Sequence, residues 1–500
     1  MKIFQKKISK WMIGACLLAV TTVSCKDSFL EKVPTTRVAP ETVFSNMENA
    51  YATINGLHRN LYRQWYSVQA EGGQSGNMIY MEVLGEDFVM TAAGNGWFNS
   101  EYKWLNNHNA SSNMVRFNYG FYYSMIGNAN QIIASIDDTP GAEADRNFIK
   151  AQALTYRAWS YFQMVQLYGK RYVKGGDNSS MGMSLVLEPT TEVVPRNSVE
   201  ETYKQINDDL DAAIALFANS TARPNNSHLN INVAKGVKAR VALTQQEWTI
   251  AASMAREARQ GYRLMNEQEY LSGFSNFNLP EVIWGFEHRD DQPTYFYSYF
   301  AYVGNFSSTN TRGNPKAINS LLYARIADTD VRKQLWDSTG AKPGFPIAAS
   351  GARFPYMSRK FLLANPGNSN GDLALMRSAE MILIEAEALA RQGGRDAEAA
   401  DAILELARTR DPNYTRTTKT GAELIEHIMT QRRVELWGEG FRFYDLKRLN
   451  LPLNRNGANH NATLTVTYDV PAGDVRWQFL IPQGEIDRTQ GVVVQNPTSN

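Results

Sequence analysis

The sequence predicts a mostly α-helical protein in which paired helices of the tetratricopeptide kind carry long, irregular, loop-rich inserts. Three observations point there. Apolar residues recur at steps of three and four along several long segments. These segments come in adjacent pairs, with alanines at the positions where two helices would touch. Between the pairs lie stretches rich in Gly, Asn, Ser, Pro and aromatics that show no such period, and inserts of this length are often functional. No fixed repeat of about 34 residues runs through the chain, so the pairing is read from the segments one by one.

The N-terminus stands apart from the body. Lys2, Lys6, Lys7 and Lys10 precede an apolar stretch from Trp11 to Val23, which has the length of a signal-peptide core and is too short to span a bilayer. It ends Thr22-Val23-Ser24-Cys25, which resembles a bacterial lipoprotein signal. Residues 1–24 are therefore expected to be a leader, Cys25 a lipidated N-terminus, and 25–40 a polar tether broken by Pro34 and Pro40. The only cysteines are Cys16 and Cys25, so the body has no disulfide framework and no thiolate metal site. No later apolar run approaches about 18 residues, so membrane contact is expected through the lipid alone.

Residues 41–500 read as one domain. A helical pattern covers 41–63. An insert at 64–112 follows, then helices over 113–168, where Leu154, Ala158, Tyr161, Phe162, Val165 and Tyr168 share a face and Gly169 is a natural stop. After an insert at 170–197, Ser198 with Glu201 forms a capping-box pattern ahead of Val199, Tyr203, Ile206, Leu210, Ala213 and Phe217. Residues 232–261 read as a helical hairpin, which completes the scaffold segment 198–261. The largest insert spans 262–376, with Trp284 as a packed strand residue. The scaffold resumes over 377–449, where 377–392 and 396–410 pair across Gly393-Gly394 and the pattern returns at 421–438. Residues 450–500 form the last insert.

Chemistry-bearing motifs are scarce. Fifty-one basic residues against 50 acidic ones leave a net charge of +1, which gives no reason to expect nucleic acid as a partner. No phosphate-binding, zinc-protease or nucleophile-elbow motif occurs, and the six histidines are scattered, so neither metal nor cofactor is expected. Glu86-Asp87, Asp290-Asp291 and Glu385 with Glu387 are carboxylate pairs, but neighbours at these spacings point to different faces. The stretch 431–450, QRRVELWGEGFRFYDLKRLN, mixes both charges with large apolar residues. It reads as a helix end knitted to the body by ion pairs rather than as an anion pocket.

That stretch resembles the C-terminal signature of the SusD/RagB family of outer-membrane lipoproteins. CKDSFLEKVP, AQALTYRAWSYFQMVQLYGK, PRNSVEETYKQINDDLDAAI, NVAKGVKARVAL, RSAEMILIEAEAL, FLIPQGEI and the terminal QNP resemble other family segments in the expected order. The resemblance implies about four helix pairs and a protein lipid-anchored in the outer membrane, facing the medium. It implies a SusC-like TonB-dependent transporter as partner, beneath a lid that hands over its ligand uncut. The ligand would be an oligo- or polysaccharide, or a peptide on the RagB branch. A secreted glycoside hydrolase and a purely structural helical adaptor are the readings from other classes.

Two stretches suit a glycan, whose apolar ring faces need flat side chains and whose hydroxyls need amides. In GNGWFNSEYKWLNN, Trp97 follows the flexible Gly94-Asn95-Gly96 and is the first choice for a contact, with Asn95 and Asn99 as polar partners and Trp104 as core. In TYFYSYFAYVG, strand and helix periods both separate tyrosines from phenylalanines, which suggests Phe inward and Tyr outward. Tyr295, Tyr297 and Tyr299 are therefore candidate contacts, and a core edge remains the alternative.

Overall fold

The computed structural model describes residues 40–499 apart from 290, 293, 306–308, 349 and 364–368. The expected leader, Cys25 and most of the expected tether thus lie outside the described residues. The long helices are α1 (Met47–Asn60), α2 (Gln74–Val83), α3 (Asn113–Ser135), α4 (Glu143–Tyr168), α5 (Val199–Phe217), α6 (Ile231–Thr244), α7 (Trp248–Ala258), α8 (Ser378–Arg391), α9 (Asp396–Arg410), α10 (Gly421–Glu435) and α11 (Arg442–Arg448). From α3 to α9 each helix packs chiefly on the next in sequence, across the whole 262–376 insert between α7 and α8, and α10 returns onto α8. This is the paired-helix scaffold. Among the described residues no helix is long and apolar enough to cross a membrane.

Local sequence explains the starts and stops. At α5 the Ser198 hydroxyl accepts from the Glu201 N–H at 3.1 Å, and Glu201 accepts from the Ser198 N–H at 2.8 Å. All six apolar residues of its stripe are buried. Gly393 and Gly394 turn α8 into α9 at φ +74° and +71°, a region that favours glycine. α4 departs from expectation in two ways. It is buried on nearly every side from Phe148 onward, because α3, α5 and the C-terminal segments surround it. Its stop is also not a left-handed glycine, since Gly169 is extended (φ −94°, ψ 165°). The Lys447 ammonium instead donates to the carbonyls of Gln166 (2.6 Å) and Gly169 (2.9 Å) at that end.

The inserts are tied together by short strands. β1 (Phe88–Met90), β3 (Lys316–Ile318), β4 (Trp336–Asp337) and β5 (Met357–Ser358) form an antiparallel sheet in the order β1-β3-β5-β4. β2 (Val282–Phe286) pairs with β6 (Leu373–Arg377), so the largest insert leaves and rejoins the scaffold through one antiparallel gateway. Trp284 is buried there. Strands β7 (Leu453–Asn454) and β8 (Asp469–Val470) form a small separate pair. In the first sheet, Phe88 pairs with Ile318 and Met90 with Lys316, which sews the 64–112 insert to the 262–376 insert.

The QRRVELWGEGFRFYDLKRLN stretch is the knot of the structure. Four buried cations (Arg332, Arg377, Arg410, Lys360) meet four buried anions (Asp330, Glu281, Glu435, Glu439) at the gateway and the end of α10. Arg377 reaches Glu281 at 2.6 Å, Glu439 at 2.6 Å and Glu435 at 3.1 Å. Beside them Arg433 holds Asp87 at 2.5 Å, Arg442 holds Glu86, and the Trp437 indole N–H donates to the Asp87 carbonyl at 2.9 Å. Equal numbers of opposite charges in mutual contact make burial tolerable, because an unmatched buried charge costs several kcal/mol.

Candidate functional site

Past β1 the chain runs Ala93-Gly94-Asn95-Gly96-Trp97-Phe98. Gly94 (φ +53°) and Gly96 (φ +92°) occupy the left-handed region, and Gly96 has open space where a side chain would stand. Its glycine is required by backbone conformation alone. The turn closes with the Gly96 N–H on the Ala93 carbonyl at 2.9 Å, and Trp97 emerges half-buried beyond it. Asn95 is exposed. Asn99 opens a one-turn helix (Asn99–Tyr102); its side-chain amide donates to the Ala93 carbonyl at 3.3 Å, while its amide oxygen has no protein partner.

The aromatic run does not continue one period. Tyr295–Tyr297 is a 3-10 turn, and Ser298 then caps a separate short helix, Tyr299–Val303, by accepting from the Ala301 N–H at 3.0 Å. That break resets the phase and inverts part of the expected pattern. Phe296 is 44% exposed, whereas Tyr299 is 1% exposed and Phe300 is fully buried. The Tyr299 hydroxyl donates to the Gly438 carbonyl and that of Tyr302 to the Gln69 carbonyl (2.7 Å), so backbone oxygens meet the need that argued for keeping tyrosine outside. Tyr299 is thus a core residue in this structure. Tyr297 is half-buried, and the Tyr295 side chain lies outside what is described.

The two inserts converge through the residue that sequence reasoning turned inward. Trp97 packs edge-to-face on Phe296 (centroids 6.4 Å apart, 86°), on Tyr302 (6.2 Å, 76°) and on Phe98 (6.4 Å, 82°). Tyr302 and Phe98 are buried, pack on each other and back the Trp97 ring. The result is an aromatic surface of Trp97 and Phe296, with Asn95, Asn99 and Tyr297 close by in the chain. Rigid rings with amides alongside bind a face with a polar rim at little cost in side-chain entropy.

Two carboxyls in the neighbouring segments, Glu71 and Glu101, are shifted by burial. The Glu71 carboxyl is buried with no protein partner; burial pushes it up to about 7 against the pull of Arg116. Burial also raises Glu101, which accepts from the Asn106 amide at 2.6 Å. The carboxylate pairs noted in the sequence are otherwise engaged. Glu86 and Asp87 hold Arg442 and Arg433, Glu385 holds Arg256 (2.7 Å) and Arg259 (3.2 Å), and Glu387 holds Arg448 (2.7 Å) and Arg391 (2.9 Å). For Asp87 and Glu387, burial alone would raise the pKa, but the arginines overcome it and hold both carboxyls below their usual range. Asp290 lies outside the described residues.

The structure brings together histidines that the sequence scattered. His58 Nε2 lies 3.1 Å from His228 Nδ1, and His58 Nδ1 lies 2.6 Å from the Tyr156 hydroxyl, all buried. Among the described residues no cluster of three or more His, Cys, Asp or Glu is placed to hold a metal ion. Sequence reasoning also passed over the segment LYRQWYS (61–67), which flanks the aromatic surface and exposes Tyr66. The alternation of Arg63, Trp65 and Tyr66 was the available signal.

Two family models match the chain. One, described as "SusD family", matches residues 286–498, and one described as "Starch-binding associating with outer membrane" matches residues 28–243. SusD-like protein P2 of Formosa agariphila is 25% identical, with 98% of this chain and all of that one aligned. Among solved structures, a SusD-like carbohydrate binding protein from Bacteroides vulgatus superposes with a TM-score of 0.78 at 23% identity, over 90% of this chain and 98% of its own. A laminarin binding SusD-like protein superposes with a TM-score of 0.66 at 22% identity, over 91% and 99%.

Proposed function

The chain belongs to the SusD/RagB family, and from that premise we propose that it is a cell-surface glycan-binding lipoprotein, anchored through Cys25, that passes an oligo- or polysaccharide to a SusC-like TonB-dependent transporter without cleaving it. The observation that carries the reading is the meeting of Trp97 and Phe296 from two inserts nearly 200 residues apart, with Trp97 backed by the buried Tyr302. An apolar corner of two rings set nearly perpendicular, with amides close by in the chain, offers one ring to the face of a sugar and the other to its side. It is a weaker fit for a peptide, whose backbone needs a row of donors and acceptors. A non-catalytic role fits Glu86-Asp87 and Glu385 with Glu387, which are held by arginines. The transporter partner is inferred from the family, and the anchor from the lipoprotein-like signal that ends at Cys25.

The test is calorimetric titration of the full-length chain in nonionic detergent with laminarin oligosaccharides, acidic oligosaccharides and peptides, with product analysis after each run. Saturable saccharide binding without cleavage, weakened in Trp97→Ala, is expected. Peptide binding alone would move the protein to the peptide-binding branch, and released reducing ends would make it a hydrolase. Co-purification of a barrel partner from outer membranes, lost in Cys25→Ala, is the expected result for the transporter role.

A further inference from the structure

One stretch of surface gathers three arginines that make no ion pair, unlike many others in this protein. Arg240, Arg259, Arg433 and Arg442 each hold a carboxylate. Arg59, Arg63 and Arg116 hold none, and each lies over an aromatic ring instead. Arg59 sits 4.4 Å from the Tyr62 centroid, Arg63 4.0 Å from Trp65 and Arg116 4.5 Å from Tyr66. Arg59 Nη1 is buried without a hydrogen-bond acceptor. Burial and the neighbouring charge of Arg59 both push the Arg63 guanidinium below its usual pKa. The nearby acids do not pair with these cations. Glu71 makes no ion pair with Arg116 and is raised to about 7 by burial against that arginine's pull, and Glu287 and Asp291 lie beside Arg289 at 3.9 and 3.6 Å.

Stacking on a ring fixes the plane of a guanidinium and leaves its N–H edge directed outward, an arrangement suited to accepting a carboxylate or sulfate in a paired hydrogen bond. Tyr66 is 47% exposed between Arg63 and Arg116, with its hydroxyl end seated on Gly120 of α3, where a larger residue would collide with it. The strip runs into the aromatic surface already described. The Tyr62 hydroxyl donates to Gln292 at 2.7 Å, the Tyr302 hydroxyl donates to the Gln69 carbonyl, and a side chain at Gly72 would collide with the Tyr297 carbonyl.

We propose that Arg59, Arg63 and Arg116, with Tyr66 among them, form a subsite for sulfate or uronate groups, so that the ligand is an acidic glycan extending from the Trp97–Phe296 surface. The proposal rests on the glycan reading above. It favours a glycan over an anionic lipid surface because a ring is exposed among the cations and because the strip is continuous with a second aromatic surface.

The test titrates the full-length chain in nonionic detergent with alginate and carrageenan oligosaccharides, with neutral laminarin oligosaccharides, and with mixed micelles carrying phosphatidylglycerol. The comparison variant is Arg63→Gln/Arg116→Gln, whose exposed side chains make no ion pairs that folding would miss. Tighter binding of an acidic than of a neutral glycan is expected. Its affinity should fall about tenfold between about 50 and about 500 mM salt, and the acidic-to-neutral affinity ratio should fall about tenfold in the variant. Neutral binding alone, or acidic binding indifferent to salt and to the variant, would overturn this inference and leave the glycan reading standing. Arginine-dependent capture of anionic micelles without saccharide binding would overturn it in favour of a membrane contact. No saccharide binding by any probe would remove both.

Discussion

Glu435→Gln is expected to destabilise the protein by about 3–5 kcal/mol, the usual cost of stripping one partner from a buried ion cluster. The carboxylate is fully buried and accepts from Arg377 Nη1 at 3.1 Å, Arg410 Nη2 at 3.1 Å, Arg410 Nε at 3.2 Å and the Tyr270 hydroxyl at 3.3 Å. Burial alone would push this acid up, yet Arg410, Arg377 and Arg332 pull it well below the usual carboxylate range. The amide keeps the shape and some acceptor capacity but removes the charge, so four buried cations face three anions. Arg377 retains Glu281 and Glu439, while Arg410 retains Glu281 alone, so most of the loss falls on Arg410. Urea unfolding followed by tryptophan fluorescence, with the slope m checked for constancy, measures the difference. A double variant, Glu435→Gln/Arg410→Met, should recover part of it by restoring neutrality. A loss under about 1 kcal/mol, or a double variant no better than the single one, would refute the claim that charge matching holds this knot together.

Phe296→Ala removes an exposed ring, so stability should change by no more than about 0.5 kcal/mol while saccharide affinity falls about three- to tenfold; thermal unfolding and calorimetry separate the two. Gly72→Ala sets a methyl group against the Tyr297 carbonyl and the Tyr302 hydroxyl. It should cost about 1–3 kcal/mol and weaken binding by displacing the aromatic run, both read from one preparation. Acid should loosen the fold through His58 and His228. Burial lowers both pKa values, with Arg223 adding to His228, which falls to about 4, and His228 adding to His58. Both histidines are neutral in the fold, so their contribution is complete above the unfolded value near 6.5 and is lost as pH falls from there toward about 4. For His228 the loss is at most about 3 kcal/mol. His228→Gln should flatten the melting temperature between pH 6.5 and 4, and an unchanged slope would show that other groups carry it.

The scaffold was legible because its signals are local. The 3.6-residue stripe of α5, the Ser198–Glu201 box and the Gly393-Gly394 turn each act within a few residues, and the packing respects them. The ion-paired reading of 431–450 was legible for a related reason. Charges set among large apolar residues are bound to be partly buried, and burial requires partners, even though the sequence does not name them. The candidate surface was only half legible. Gly94-Asn95-Gly96 marks a turn that presents Trp97, but its companion was misjudged, because Ser298 breaks the aromatic run and two distant backbone carbonyls satisfy the buried tyrosines.

By itself, then, the sequence determined much of what depends on neighbours along the chain: helix stripes, the α5 cap, the glycine turns and the demand for charge partners, but not the form of the stop at Gly169 or the break at Ser298. Tertiary structure alone decided which partners those are. It set Glu435 among three arginines, joined His58 to His228, and used the β1–β3 pairing to carry Trp97 to Phe296. Such contacts join segments up to several hundred residues apart. Their pairing is fixed by the shape of the packed scaffold, which no local pattern encodes.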